Sequence, residues 1–299
     1  MPTPRKTRRW QQIRRNPTLH RRVLVAEALG PDFPWHDQAH LPQSSQAFCV
    51  SAFGGLRHLE SRDQVISRFL STRFPEVAVK GRPRRWTIEL EVSCPDLLGE
   101  HGPSQPTSID ALCESSREVI CVESKFLRDA RDGFGGCSQA SSGACKGFFG
   151  PGSDAKTNTP AWCRLEIWDG RRSPRLYWAF GRRYFRSKVF EMQRQGATCP
   201  FKGANYQLMR NFLFAAAFAA RARKGFFGVL ALCPRATSKT IEGQLNMFRD
   251  EILRPEYREL VKLAHYEDYI AALRSVRDPD AGELGEFLSG RIDTLIPRV

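Results

Sequence analysis

The chain has 299 residues, 41% of them hydrophobic, and carries a formal net charge of +14 from 46 Lys and Arg against 32 Asp and Glu. That length builds one large domain or two small ones around a real core, and the composition excludes a disordered chain. No apolar run reaches the roughly 18 to 20 residues that cross a bilayer, and no apolar core follows the basic N-terminus as a secretory signal would require. The expectation is therefore a cytoplasmic protein without a membrane segment. Its nine cysteines, an odd number, are expected as reduced thiols or metal ligands rather than as a disulfide framework. The cationic excess, mostly Arg, implies a polyanionic partner, most simply nucleic acid.

Residues 1–45 read as a basic N-terminal arm, broken by prolines and poorly periodic. Met1 to Arg22 contain no acidic residue, which suits either a nucleic-acid-contacting segment or a solvated tail. Thr18 to Leu29 can form a short helix, stopped by Gly30-Pro31. After Gly54-Gly55, the spacing of Leu56, Leu59, Ile66, Phe69 and Leu70 predicts a helix to Arg73, ended by Pro75. Glu60 sits at the margin of its apolar stripe and faces either the core or solvent. Trp86 to Val92 alternate as a strand.

Ser108 to Lys125 predict two strands joined by a polar turn at Glu114-Ser115-Ser116-Arg117. The second strand runs from Glu118 to Phe126, with an apolar stretch Val119-Ile-Cys-Val122 that breaks into Glu123-Ser124-Lys125. Alternation puts Glu123 and Lys125 on one face, and Asp110 joins them if the two strands pair. From Asp132 to Pro160 the composition shifts to Gly, Ser, Cys and Phe, a long loop. Within it, Gly150 to Thr157 narrowly misses a phosphate-binding loop: the glycine before the lysine and a preceding apolar strand are both lacking. Arg175 to Arg186 interleave aromatics with cations, for which core packing is a commoner outcome than base stacking. Asn205 to Arg223 predict a helix apolar on nearly every side, with Gln207 and Arg210 as polar exceptions and Gly225 as its terminator. Phe226 to Cys233 follow as a buried strand, and the rest reads as helical. Strands followed by a helix and another strand indicate an α+β layered fold.

Two carboxylates and an ammonium on one sheet edge are costly unless a metal or a reaction uses them. Mg²⁺ is served by one or two carboxylates, with water and substrate oxygens completing its shell. The order helix, strand, strand with Asp110, strand with Glu123-Ser-Lys125, buried helix, strand resembles the PD-(D/E)XK nuclease superfamily, the restriction-endonuclease-like proteins. The resemblance covers Leu56 to Cys233, and Ile109 stands where the motif's proline would be.

It implies a central mixed sheet flanked by helices in the order αβββαβ, with C-terminal helices added. Residues 46–299 would form the nuclease domain. Its core spans 56–233 with an insertion over 132–200, and a helical part follows over 239–299. The resemblance also implies that Asp110 and Glu123 bind Mg²⁺ (or Mn²⁺), with Glu60 as a further carboxylate. Lys125 would assist the attacking water, and Gln207 would contact substrate or position Lys125.

Cys137, Cys145, Cys163 and Cys199 lie in or beside the insertion. They would close a structural Zn²⁺ site or hold an iron–sulfur cluster, as in some members of the superfamily, or else stay unpaired thiols. Cys94, Cys113, Cys121 and Cys233 read as small core residues. The implied activity is Mg²⁺-dependent endonucleolytic cleavage of double-stranded DNA in a restriction-type defence role, with a homodimer cutting both strands. A recombination or repair nuclease, and a non-catalytic nucleic-acid-binding protein, are the alternatives.

Overall fold

Alternating and apolar segments of the chain meet in a single five-stranded sheet, whose strands lie side by side in chain order. The computed structural model describes residues 3–26, 29–77, 84–102, 105–126, 133–137, 175–194 and 199–296. Most of the insertion, including the near-miss phosphate loop, Cys145 and Cys163, lies outside these residues.

The N-terminal stretch, expected as a poorly periodic arm, is folded. Helix α1 spans Pro4–Ile13 and α2 spans Arg21–Ala26. Ile13, Leu19, Val23, Leu29 and Trp35 form a small core that also takes in Ala47 and Val50. Trp10 stacks on Trp35 at 5.8 Å between ring centroids. Helix α2 falls within the short helix expected over Thr18 to Leu29, whereas the apolar residues of α1 are too few for a period to announce it.

Helix α3, Ser45–Cys49, is capped by Ser44 and continues through a π-helical stretch, Val50–Gly54, into α4, Gly55–Arg57. The helix expected from Leu56 to Arg73 is instead broken at His58 to Ser61, and α5 spans Arg62–Ser71. The break is held from far along the chain. Asp278 accepts hydrogen bonds from the Ser61 hydroxyl at 2.7 Å and its backbone N–H at 3.3 Å. Sequence periodicity carries no trace of that contact.

Strands β1 (Thr87–Ser93), β2 (Ser108–Glu114) and β3 (Glu118–Ser124) form an antiparallel meander, with helix α6 (Pro95–Leu98) between the first two. The Ser115 side chain closes the β2–β3 turn by accepting from the backbone N–H of Arg117 and of Glu118. Helix α7 is Tyr177–Tyr184, α8 is Ser187–Arg194 and α9 is Asn205–Arg221. Core packing is indeed the fate of the aromatic segment, since Tyr177, Trp178, Tyr184 and Phe185 are all buried.

Helix α9 ends in a Schellman arrangement. The N–H of Arg223 reaches the Ala220 carbonyl and that of Lys224 reaches the Ala219 carbonyl. The left-handed position is taken by Arg223, with φ of 53°, and not by Gly225 as the sequence suggested. Strand β4 (Phe226–Cys233) then pairs parallel to β3. Helix α10 (Ser238–Met247) leads to a fifth strand, β5 (Val261–His265), parallel to β4. This strand lies inside a segment expected to be helical. Helices α11 (Tyr266–Arg274) and α12 (Pro279–Leu295) complete the chain.

Two cores cover the two faces of the sheet. On one, α7, α9 and α10 pack over Leu112, Val119, Cys121 and Val229. On the other, α3 to α5 and α11 to α12 pack over Ala111, Cys113, Ile120 and Val122. Successive residues of β3 thus serve opposite cores, as pleating requires.

Candidate active site

The alternation along β3 continues past its apolar run and sets the site. Val119 and Cys121 face α9, so Glu123 does too. Ser124 faces the other way, where its hydroxyl lies 2.6 Å from the Tyr266 hydroxyl. Asp110 is one step beyond the pair Ala111↔Val122, which brings it across from Glu123. The pairs Leu90↔Ala111 and Val92↔Ile109 bracket Glu91, which falls across from Asp110 on the other side. Three carboxylates therefore cross three neighbouring strands in one row.

Asp110, Glu123, Lys125, Gln207, Arg210 and Asn211 line one cavity of about 560 Å³, closed on another side by residues 36–46. Glu123 is 3% exposed, and three side chains donate to or pair with its carboxylate. Gln207 Nε2 donates to Oε1 at 2.6 Å and Asn211 Nδ2 to Oε2 at 2.7 Å. Lys125 Nζ lies 3.0 Å from Oε1 and donates to Gln207 Oε1 at 3.1 Å. Gln207 is itself fixed by the Gly135 N–H, which donates to its Oε1 at 2.8 Å. The Lys125 ammonium also sits 5.3 Å from the centre of the Phe134 ring.

Asp110 Oδ2 accepts the Ser124 N–H at 2.7 Å, and its Oδ1 has no hydrogen-bond partner among the described residues. Burial pushes the Asp110 carboxyl well above its ordinary range. The charges of Glu123 and then Glu91 add to this, against opposition from Lys125 and the Ser124 N–H. Glu91 is raised as well, chiefly by burial. It accepts from Gln46 Nε2 at 2.8 Å and from the Ser108 hydroxyl at 2.9 Å. Its φ of 52° is left-handed, an uncommon backbone state for a residue with a side chain.

Four residues singled out from the sequence, Asp110, Glu123, Lys125 and Gln207, come together. Glu60 does not: it is exposed, in the turn between α4 and α5, and outside the cavity. The acidic neighbour of the pair is Glu91, reached through strand register and not through a helix. Asn211 also escaped notice, although its place four residues after Gln207 puts both on one helix face.

Of the four insertion cysteines, Cys145 and Cys163 lie outside the described residues. The backbones of Cys137 and Cys199 meet at Lys202, whose carbonyl accepts from Cys137 N–H at 3.2 Å and whose N–H reaches the Cys199 carbonyl at 3.1 Å. Among the described residues, no group of three or more His, Cys, Asp or Glu side chains is arranged to hold a metal ion. Nor is any helix among them long and apolar enough to cross a membrane.

A mixed sheet that begins as an antiparallel meander, continues in parallel and is flanked by helices on both faces is a restriction-endonuclease-like fold. The chain belongs to a family described as Restriction Endonuclease associating with ARP, whose model matches residues 7–289. Membership makes it a restriction-endonuclease-like nuclease, with nucleic acid as its substrate class. No curated protein and no solved structure matches the chain.

Proposed function

We propose that the protein is a Mg²⁺-dependent endonuclease, with Mn²⁺ as a substitute, that hydrolyses phosphodiester bonds of double-stranded DNA. Asp110, Glu123 and Lys125 would form a centre of the PD-(D/E)XK type, serving restriction-type defence. One observation carries the reading. Two carboxylates from adjacent strands face one cavity, and the Lys125 ammonium lies 3.0 Å from the second of them.

The donor set suits a hard cation. Asp110 and Glu123 offer oxygen ligands only, and an ionised carboxylate has about four lone-pair sites, so amide donors on Glu123 leave room for a metal. Burial, and then the charges of Glu123 and Glu91, raise the Asp110 carboxyl, and a bound divalent ion would offset both. Two carboxylates, with no larger cage, match the preference of Mg²⁺ for keeping water and substrate oxygens in its shell. When bound, the ion would act as a Lewis acid on the phosphate and lower the pKa of a coordinated water.

The chain's own residues do the rest. Gln207 and Asn211 fix both oxygens of Glu123, so the carboxylate is preorganised before substrate arrives. Lys125 has three ammonium donors; Glu123 and Gln207 take two, leaving one for a phosphate oxygen or the attacking water. Cleaving both strands of a duplex takes two such centres, and so the reading extends to a homodimer.

The test is purified protein on plasmid DNA, with Mg²⁺ or chelator, beside Glu123→Ala and Lys125→Ala. Nicked or linear plasmid is expected with Mg²⁺ and wild-type protein, and intact plasmid in every other arm. Undiminished cleavage by both variants would end the site assignment. Binding without metal-dependent cleavage of any nucleic acid would leave a binding protein instead.

A further inference from the structure

We propose that Arg210 grips a phosphate of the nucleic acid in the cavity, and that Glu100, Thr107 and Tyr177 form the mount that aims it. The inference rests on the nuclease reading only in taking the substrate to be a polyanion.

Helix α9 presents Gln207, Arg210 and Asn211 to the same cavity, as spacing by three and four residues demands. Gln207 and Asn211 spend their amide nitrogens on Glu123. Arg210 turns to the β2 side. Its Nε donates to the Thr107 hydroxyl at 2.9 Å and lies 3.5 Å from Glu100 Oε1. Its Nη2 makes a long contact of 3.4 Å with the Gln105 carbonyl, and Nη1 has no partner among the described residues. The guanidinium carbon sits 5.4 Å from the centre of the Tyr206 ring. The group is thus held by one edge and one face, with Nη1 open to a phosphate and Nη2 only weakly held.

The mount is complete without Nη1. Glu100 is 2% exposed and accepts from the Thr107 N–H at 2.8 Å, the Thr107 hydroxyl at 2.7 Å and the Tyr177 hydroxyl. An arginine present only to neutralise this buried carboxylate would turn its paired nitrogens onto it, the geometry that makes such pairs strong. Arg210 touches it through Nε alone. Charge points the same way. The cavity holds Asp110 and Glu123, which repel phosphate, and its ammonium, Lys125, has two of its three donors engaged by Glu123 and Gln207. A second cation, with Nη1 left over, is what a polyanion needs to enter.

The experiment measures binding of a fluorescent DNA duplex in chelator, as a function of salt, for the full chain and for Arg210→Gln, Arg210→Lys and Thr107→Val, with a thermal melt of each. Removing one phosphate contact lowers the slope of log K against log salt by roughly 0.9. We expect Arg210→Gln to lose that much and to bind about tenfold more weakly at low salt. Arg210→Lys should keep the slope. Thr107→Val, which keeps the cation but loosens its aim, should bind several-fold more weakly at low salt while keeping the slope; wild-type affinity in Thr107→Val would take the mount out of the proposal.

A wild-type slope in Arg210→Gln would overturn the proposal, whatever its melt, and so would absence of DNA binding by the wild-type chain. The slope is read without metal or cleavage. An Arg210-dependent slope in a protein that never cuts would therefore uphold Arg210 and sink the enzymatic reading alone.

Discussion

Glu123 owes its position to two amides on α9, and that debt can be measured. Replacing Asn211 by Ala removes the 2.7 Å bond to Oε2 and leaves a buried carboxylate oxygen without its donor. Groups that orient a metal ligand, the role proposed for Glu123, typically contribute 10- to 100-fold in metal affinity or activity. Asn211→Ala is expected to cleave about that much more slowly and to need more Mg²⁺, read from cleavage rates across a Mg²⁺ titration.

Asp110 makes a prediction about pH. Its carboxyl is raised in the folded protein by burial and by the charges of Glu123 and Glu91. The metal-free fold therefore binds this proton more tightly than the unfolded chain does. Ionising Asp110 costs stability at all pH values above the raised value, and the cost is relieved as pH falls through it toward the ordinary aspartate range. Asp110→Asn should thus raise the melting temperature in chelator at neutral pH, and the gain should vanish in acid. Added Mg²⁺ should stabilise the wild type and not the variant. A variant no more stable than wild type at neutral pH would mean that Asp110 is not the strained group.

At this scale the sequence was informative wherever one element sets a side chain's direction. Glu123 and Lys125 follow from strand alternation, and Gln207 from its place on an otherwise apolar helix. Glu91 could not be read, because only the register between β1 and β2 brings it to Asp110. Glu60 was misplaced by a helix break that Asp278 holds from 217 residues away.

Among the elements, β4 has little room to vary at its third residue. Gly228 pairs with Ile120 in the centre of the sheet. A methyl group there would come within 2.8 Å of the Phe74 ring and 3.1 Å of Ile120 Cδ1. Phe74 is fully buried, so neither neighbour can swing away into solvent. Overpacking of this kind costs about 1–3 kcal/mol. Gly228→Ala should lower the denaturation midpoint accordingly while leaving the urea m-value unchanged, since the surface exposed on unfolding is the same.

The elements that the sequence revealed, β1 to β4, α9 and the C-terminal helices, are those with a sustained period or a long apolar run. Strand β5 was hidden because it has only five residues, Val261–His265, set between a 3₁₀ turn and α11. Its one β-branched residue is too weak a signal against helical neighbours. It becomes a strand through its parallel pairing with β4.

Across the whole molecule, the N-terminal 26 residues act on the cavity from a distance. Asn16, 4% exposed, donates from its amide to the carbonyls of Ala39 at 2.8 Å and Leu41 at 2.7 Å. The Thr18 hydroxyl donates to the Pro42 carbonyl at 2.5 Å. Lys6 pairs with Asp32 and Arg9 with Asp37. Segment 36–46, one wall of the cavity, is therefore strapped to α1 and the turn after it, and the basic face of α1 is carried along with that wall. The sheet has its own two cores, which the N-terminal core meets through Ala47, Val50 and Leu90. Deleting residues 1–17 removes Ile13, whose burial stabilises by about 1.5–3 kcal/mol, and both Asn16 anchors. The expected result is faster amide hydrogen exchange across 36–43, with β2 to β4 still protected, and a fall in cleavage through loss of the wall. Equal loss of protection in β2 to β4 would show that the N-terminal unit and the sheet unfold together.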